Sequence, residues 1–407
     1  MHLDAQDPGQ IFWTHMGKSF DSGTPGTLYF DANSIGPMPC TVPLKMTTVL
    51  QEGWAQARRR SWNELDWLEQ PRTLGASIAH LIGADSKDVR VTDTTSINQY
   101  KLLRYALSVA APRHVIVLER HVFPSNRYVA EAIARDHQAQ LRFIDDASQL
   151  PAALAPQDVA VVALSHVDYR SSTRLDMTEL NRYIREAGAM SLWDLSHSAG
   201  AVAIALRQSD ADLAVGCGYK YLCGGPGAPA LLYIHPRWAD AAWPAIAGWM
   251  GHADTFAFDA DYRPGAGADR FLVGTPAVLA NAAFSAAAQL WREVDPVALN
   301  QRHRSLTDTL IQLFDEQCAP WPVHLSSPRH HAQRGGHVTL QFHGAAALAQ
   351  ALVEQGVVVS SRKPDALRWG VHPLTTTHQQ LWSAVQVLRQ LLASGTWQDA
   401  RFERPVV

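Results

Sequence analysis

The chain has little that would hold it together apart from a hydrophobic core. Its 407 residues include only four cysteines, Cys40, Cys217, Cys223 and Cys318. No two form a C-x-x-C pair, which excludes zinc-ribbon and thioredoxin-like readings. A disulfide framework would also be unusual in so long a chain. An excess of charge is missing too: 35 Lys and Arg stand against 38 Asp and Glu, a formal charge of −3. That balance argues against a nucleic-acid coat or a polybasic membrane binder. Long apolar runs are absent: Val159–Leu164 and Ala228–Ile234 reach six and seven residues, where a membrane span needs about 20. Residues 1–7 lack the basic and apolar regions of a secretory signal, and residues 404–407 are not an address tag. There is no fixed repeat or low-complexity tract. The expectation is a soluble, cytoplasmic protein of two or three domains.

What is present is an alternation of short apolar runs and longer amphipathic stretches. Residues 89–91, 114–119, 142–145, 158–164, 190–194, 212–216 and 228–234 read as strands. Pro124–Arg135 and Met177–Ala187 read as helices between them. Near-continuous apolar strands separated by helices predict an α/β fold whose mostly parallel sheet is covered on both faces. Such a sheet binds its ligand at the carboxyl ends of its strands. Beyond about residue 285, helices over 276–294, 296–317, 345–354 and 377–393 alternate with strands over 337–342, 357–360 and 366–369. The expected division is an N-terminal segment, 1–50, joining the small domain to the active-site edge; a large α/β domain, 51–285; and a smaller C-terminal α+β domain, 286–407.

Three features carry chemistry. Helix Ser96–Ala110 places Ile97, Tyr100, Leu103, Leu107 and Ala110 on one face, with Thr94-Thr95-Ser96 at its start. A hydroxyl cap and free backbone N–H groups make an anion site there, or an ordinary capped helix. In Trp193-Asp194-Leu195-Ser196-His197-Ser198 a carboxylate ends an apolar strand; buried, it requires a cationic partner. In the glycine-rich stretch Gly216–Gly227, Lys220 follows another such strand, flanked by Tyr219 and Tyr221. A buried lysine is rare unless paired or reactive.

The order anion site, strand-end Asp, then Lys is that of fold-type I pyridoxal phosphate (PLP) enzymes. Other readings are weaker. Gly224-Gly225-Pro226-Gly227 lacks dinucleotide-binding spacing. Ser198 lies in no G-x-S-x-G elbow. His330, His331 and His337 flank a Gly335-Gly336 turn without a carboxylate cluster and read as a solvent loop, so no metal is expected. Cys217 and Cys223 read as small packing residues rather than a desulfurase thiol.

The chain resembles the kynureninase family along nearly its whole length. Asp31–Pro37 is similar to the family's G-N-S-L-G-P and Arg60-Ser61-Trp62-Asn63 to R-S-W-N. Asp93–Asn98 is similar to D-S-T-S-V-N. The Asp194 and Lys220 segments, Gly248–His252, Arg270–Pro276 and Leu367-Arg368-Trp369-Gly370 follow in order. The resemblance implies a PLP-dependent hydrolase that cleaves kynurenine or 3-hydroxykynurenine to the anthranilate and alanine, as a homodimer with shared active sites. It implies that Lys220 carries the cofactor, Asp194 pairs with the ring nitrogen, and His197 sits beside it. Thr95, Ser96 and Tyr219 would bind phosphate, with Trp249 and Thr275 completing that pocket. Phe123 would stack on the ring. Arg368 would take the substrate carboxylate, which suits a bidentate fork. Asn33, Ser34 and Trp62 would line the aryl-ketone end, although Trp62 also fits plain core packing. An aminotransferase or other lyase of the same fold, or a binding-only member, is the alternative.

Two departures touch the cofactor-binding positions. The family's F-P-T-D or F-P-S-D is here Phe123-Pro124-Ser125-Asn126, and its H-V-N-Y-R-S-G is His166-Val167-Asp168-Tyr169-Arg170-Ser171-Ser172. The expectation is that Asn126 and Asp168 have exchanged an amide and a carboxylate across one polar network. The alternative is a changed activity.

Overall fold

The structure, a computed structural model, describes residues 9–402. The readings made on residues 1–7 and 404–407 lie outside it. Strand β1 (Leu28–Tyr29) comes first. The main sheet follows, with β2 (Val89–Thr92), β3 (Val115–Glu119), β4 (Gln140–Ile144), β5 (Val159–Ser165), β6 (Met190–Asp194), β7 (Leu213–Gly216) and β8 (Ala230–Ile234). The C-terminal strands are β9 (His324–Leu325), β10 (His337–Gln341), β11 (Val357–Val358), β12 (Ser360–Arg362) and β13 (Ala366–Gly370).

The main sheet has the order β2-β8-β7-β6-β5-β3-β4. Only β8 runs against its neighbours. All six other strands therefore end at one edge. Alternation along β5 shows why its sequence is apolar throughout. Val159, Val162 and Leu164 enter the core on one face, and Ala160, Val161 and Ala163 that on the other. A strand covered twice keeps no polar side.

The C-terminal region has its own core. There Leu306, Leu310 and Phe314 of helix Pro296–Cys318, Leu348 and Leu352, and Leu381, Val385 and Leu388 pack with Val338, Leu340, Leu367 and Trp369. The sheet these helices pack with is antiparallel, in the order β12-β13-β10-β9. Trp291, Val294 and Leu299 belong to the core of the main sheet. The N-terminal segment serves both bodies: Trp13, Met16 and Phe20 enter the main core, while Phe30 enters the C-terminal one.

Two expectations change. The stretch 357–360 is two strands, because Val357–Val358 pairs with Leu28–Tyr29 and Ser360–Arg362 pairs with β13. The helix after β2, Thr95–Val109, buries the predicted face only in its later turns: Leu103, Leu107 and Ala110 are buried, but Ile97 is 43% exposed and Tyr100 half-buried. Also buried are Asn98, whose amide bonds the carbonyls of Thr92 and Ala230, and Lys101, which bonds Asp93 and the Phe271 carbonyl. Polar residues enter a core when every donor finds an acceptor, which hydrophobic periodicity alone does not register.

Helix Gln70–Ile78 lies against β2 at Gly75, where an added Cβ would stand 2.3 Å from the Val89 carbonyl oxygen. Alanine favours a helix over glycine by about 1 kcal/mol, but overpacking against rigid backbone costs about 1–3 kcal/mol. Gly75→Ala is therefore expected to lower the urea midpoint; an unchanged or raised midpoint would show that the helix can move off the sheet.

Candidate active site

Three strand ends build the site. β2 ends in Thr92, and the loop Asp93–Thr94 turns into helix Thr95–Val109. Asp93 takes a left-handed φ of 47° and is held by Lys101 Nζ at 2.7 Å. Thr94 caps the helix, its Oγ1 accepting from the Ile97 N–H. β6 ends in Asp194, beside Ser165 of β5 and Val215 of β7. β7 ends in Gly216 and leads to Lys220. That loop is drawn tight by glycine: a Cβ on Gly218 would meet the Pro229 carbonyl at 2.3 Å, and one on Gly36 the Lys220 carbonyl at 2.2 Å.

These ends enclose a cavity of about 360 Å³. Thr95 and Ser96 line it at the helix start, Asp194, His197, Tyr219 and Lys220 at the strand ends, and Phe123 and Asn126 on the far side. Lys220 is buried, and its Nζ lies 3.0 Å from His197 Nε2. The same nitrogen stands 5.7 Å from the Phe123 ring and 5.8 Å from the Tyr219 ring. Burial, and then the Lys220 ammonium, hold His197 well below the ordinary imidazole range. Asp194 accepts two hydrogen bonds, from the Ser196 N–H at 2.9 Å and from Asn126 Nδ2 at 2.8 Å. Burial, with Cys217 next, raises the Tyr219 phenol.

Arg368 stands next door, linked through Tyr169. The Tyr169 ring packs edge-on to Phe123 at 5.3 Å, and its carbonyl accepts from Arg368 Nη1 at 2.7 Å. Arg368 Nη2 donates to Ser34 Oγ and Ser360 Oγ, and its Nε has no partner. The guanidinium is thus buried with neutral hydrogen-bond partners, and the charges of Arg362 and Asp31 lie nearby. Burial and neighbouring Arg362 lower its pKa to about 10. Asn33, also buried, leaves both amide atoms without partners.

Arg368, Ser34 and Asn33 thus stand outside the lining of this cavity, and four further expected site residues do not line it either. Trp62 packs edge-on to Trp67 at 5.4 Å beside Leu68, Met250 and Leu272. Trp249 is partly exposed and meets Phe256 at 6.3 Å, and Thr275 is exposed. Asp168 spends its carboxylate on its own turn, accepting from the Arg170 and Ser171 N–H groups and the Ser171 hydroxyl. It shares no hydrogen bond with Asn126, so the expected exchange across one network is not formed. Local turns recruit an aspartate to their own N–H groups, and this turn outcompeted the network.

Sequence reasoning also missed residues that the fold brings in. Ser125, Ser165, Val167, Tyr169, Ser196 and Cys217 line the cavity. His337, expected in a solvent loop, is fully buried on β10 with its ring 5.6 Å from that of His197. The signal was its place as the first residue of an apolar strand. His330 is exposed and His331 half-buried. No group of three or more potential metal ligands occurs among the described residues.

Residues 299–388 match the kynureninase C-terminal domain. The kynureninase of Pseudomonas fluorescens is 40% identical over 384 residues, 93% of this chain and 92% of that protein. The kynureninase of Burkholderia mallei strain SAVP1 is 38% identical over 383 residues, with the same coverage. The chain belongs to the kynureninase family. Kynureninase-family proteins are PLP-dependent hydrolases of a carbon–carbon bond, and so is this chain. Its fold is shared with an apo cysteine desulfurase from Thermococcus onnurineus NA1, at TM-score 0.76 and 19% identity over 94% of this chain and 98% of that one. The cystine C–S lyase C-DES, solved with its product cysteine persulfide, gives TM-score 0.75 and 22% identity over 90% and 98%.

The residues fit the cofactor. A kynureninase-family site must hold a phosphate, an aromatic ring with a protonated nitrogen, and an aldehyde carbon. Here the amine of Lys220 has no carboxylate partner, the Asp194 carboxylate faces the same cavity, and a capped helix start opens onto it.

The buried imidazoles set a pH dependence. Burial takes His166 to about 3, with Arg174 adding to it, and His303 and His372 to about 4. His197 and His337 are lowered in the same way. Unfolded, each ring takes up a proton near 6.5. The stability they permit is therefore complete above about pH 6.5 and is lost as pH falls toward the folded values. Burial raises Glu119 to about 7 and shifts Asp31 and Asp88 upward, which acts in the opposite direction. Five rings outweigh three carboxyls, so the urea midpoint is expected to fall steadily from pH 6.5 to about pH 5. A flat midpoint over that interval would contradict neutral rings in the folded state.

Proposed function

We propose that this enzyme hydrolyses the Cβ–Cγ bond of L-kynurenine or its 3-hydroxy form, releasing anthranilate or 3-hydroxyanthranilate and L-alanine. The observation that carries the proposal is the placement of three charged groups: the Lys220 amine and the Asp194 carboxylate in one cavity, and Arg368 buried among neutral partners beside it.

When bound, PLP supplies an electron sink next to the reacting carbons. Lys220 would tether the cofactor and, once freed, remove the α-proton. His197, neutral and 3.0 Å from Lys220 Nζ, is placed to accept a hydrogen bond from that amine and orient it. Asp194 would hold the proton on the ring nitrogen, and Phe123 would cover the ring. Thr95, Ser96 and Tyr219 would bind the phosphate. Arg368 would receive the substrate α-carboxylate, which supplies the direct ionic partner its neutral hydrogen-bond partners do not. Ser34 would orient that guanidinium, and Asn33 would meet the aryl-ketone end with its unpartnered amide.

Trp62, Trp249 and Thr275 fit a site completed by a second copy of the chain. Trp249 and Thr275 face outward, and Trp54, Trp243, Phe256 and Phe258 are also exposed. A homodimer covering these aromatics would bring them to the partner's cavity. A persulfide-forming reaction of the desulfurase type is disfavoured, because Cys217, the one cysteine lining the cavity, has its Sγ 3.2 Å from Thr95 Oγ1 at the helix start, and Cys223 is buried with its thiol raised.

Anthranilate fluorescence after addition of kynurenine, with 3-hydroxykynurenine run in parallel, tests the activity. Wild type is expected to turn over at least one of the two, and Lys220→Ala neither. Arg368→Lys keeps a charge but loses the fork; kcat/KM is expected to fall about 10- to 100-fold, mainly through KM. Turnover of neither substrate by PLP-loaded wild type would overturn the proposal.

A further inference from the structure

We propose that Asn126 is a positioning residue for Asp194, one that acts by being an amide rather than a carboxylate. The inference rests on the PLP reading of the cavity and concerns how the chain prepares its own carboxylate.

Asn126 is the third residue of helix Pro124–His137 and is 5% exposed. Its backbone is fixed at both ends: its N–H donates to the Phe123 carbonyl at 2.9 Å, and its carbonyl accepts from Gln99 Nε2 at 3.0 Å. The side chain has little freedom left, and Nδ2 donates to Asp194 Oδ2 at 2.8 Å. The orientation is dictated by charge, since turning the amide would set its oxygen against a carboxylate. On the other oxygen, Asp194 Oδ1 accepts from the Ser196 N–H. Two donors, one per oxygen, fix the carboxylate plane and leave acceptor capacity toward the cavity. Behind the pair lies a small pocket lined by Gln99, Leu118, Val122, Ala163, Leu164, Leu192 and Val215, all uncharged.

A carboxylate at 126 could make the same contact only by holding a proton. Two carboxylates this close do not both ionise readily, and one pKa rises. The amide donates at every pH. The other titratable groups around Asp194 are Lys220, His197, Tyr219 and Cys217 across the cavity. His166 follows β5, its N–H bonding the Asp194 carbonyl. None of these donates to Oδ2.

The test is PLP affinity of apoprotein, measured by titration from about pH 6 to about pH 9 and expressed relative to wild type at each pH. Asn126→Leu removes the donor at similar size and is expected to weaken PLP binding about 10- to 100-fold at every pH. Asn126→Asp is expected to match wild type at the acid end, where it keeps its proton, and to fall away as pH rises. Thermal melting of the apoproteins checks folding, and should Asn126→Leu fail to fold, the slope of Asn126→Asp decides alone. Affinity of Asn126→Leu within threefold of wild type, or a pH-independent ratio for Asn126→Asp, overturns the proposal. Failure of wild type to take up PLP overturns the cofactor reading first and this proposal with it.

Discussion

The site depends on keeping two opposite charges apart. Lys220 and Asp194 face one buried cavity, yet no ion pair joins them, and each is bonded to something else. At an effective dielectric of about 20, a direct pair would gain about 4 kcal/mol at 4 Å. A flexible site would collapse into that pair. What prevents it is rigidity on both sides: Asp194 is clamped by a backbone N–H and a buried amide, and Lys220 is anchored in a loop whose glycines leave no slack. The space between them, about 360 Å³ with its surroundings, is what the fold holds open.

That rigidity comes from the sheet. β6 and β7 are neighbours, and their register sets Asp194 beside Val215, one residue before Gly216. The acid and the amine thus leave adjacent strands at the same edge. β2 reaches that edge from the far side of β8, carrying the helix start with it. The parallel arrangement forces the chain to cover both faces, which accounts for the double-sided apolar strands. The N-terminal segment closes the remaining side. Gly36 donates to the Tyr219 carbonyl at 2.8 Å, and Ser34 reaches Arg368, so residues that begin the chain seal a site built by its middle and end.

How much of this the sequence discloses follows from the range of each signal. Asp194 and Lys220 were legible because each interrupts an apolar run, a local anomaly. Thr94 was legible as a helix cap for the same reason, although the face of that helix was misjudged where Asn98 and Lys101 enter the core through long-range partners. The strands of the main sheet were readable to within one or two residues, whereas the two-residue strands β1 and β9 were not read. For His337 the strand position signalled burial, but its approach to His197, 140 residues earlier, has no local signal. Asp168 and Asn126 were misread in opposite ways. Asp168 is governed by its own turn, a contact spanning three residues, whereas Asn126 is governed by Asp194, 68 residues away. Residue type alone does not say which of those distances wins.

The charge count of the finished site explains one further feature. Lys220, Arg368 and nearby Arg362 bring three cations, and Asp194 and Asp31 bring two carboxyls. A further cation on His197 would lie 3.0 Å from the Lys220 nitrogen, in surroundings where like charges are strongly disfavoured. The imidazole accordingly stays neutral, and burial alone would push it the same way. An electropositive pocket with a neutral base suits ligands that carry their own negative charge, a phosphate at the helix start and a carboxylate at Arg368. Each anion would supply the counter-charge the folded chain lacks, so affinity and charge balance are the same requirement seen from two sides.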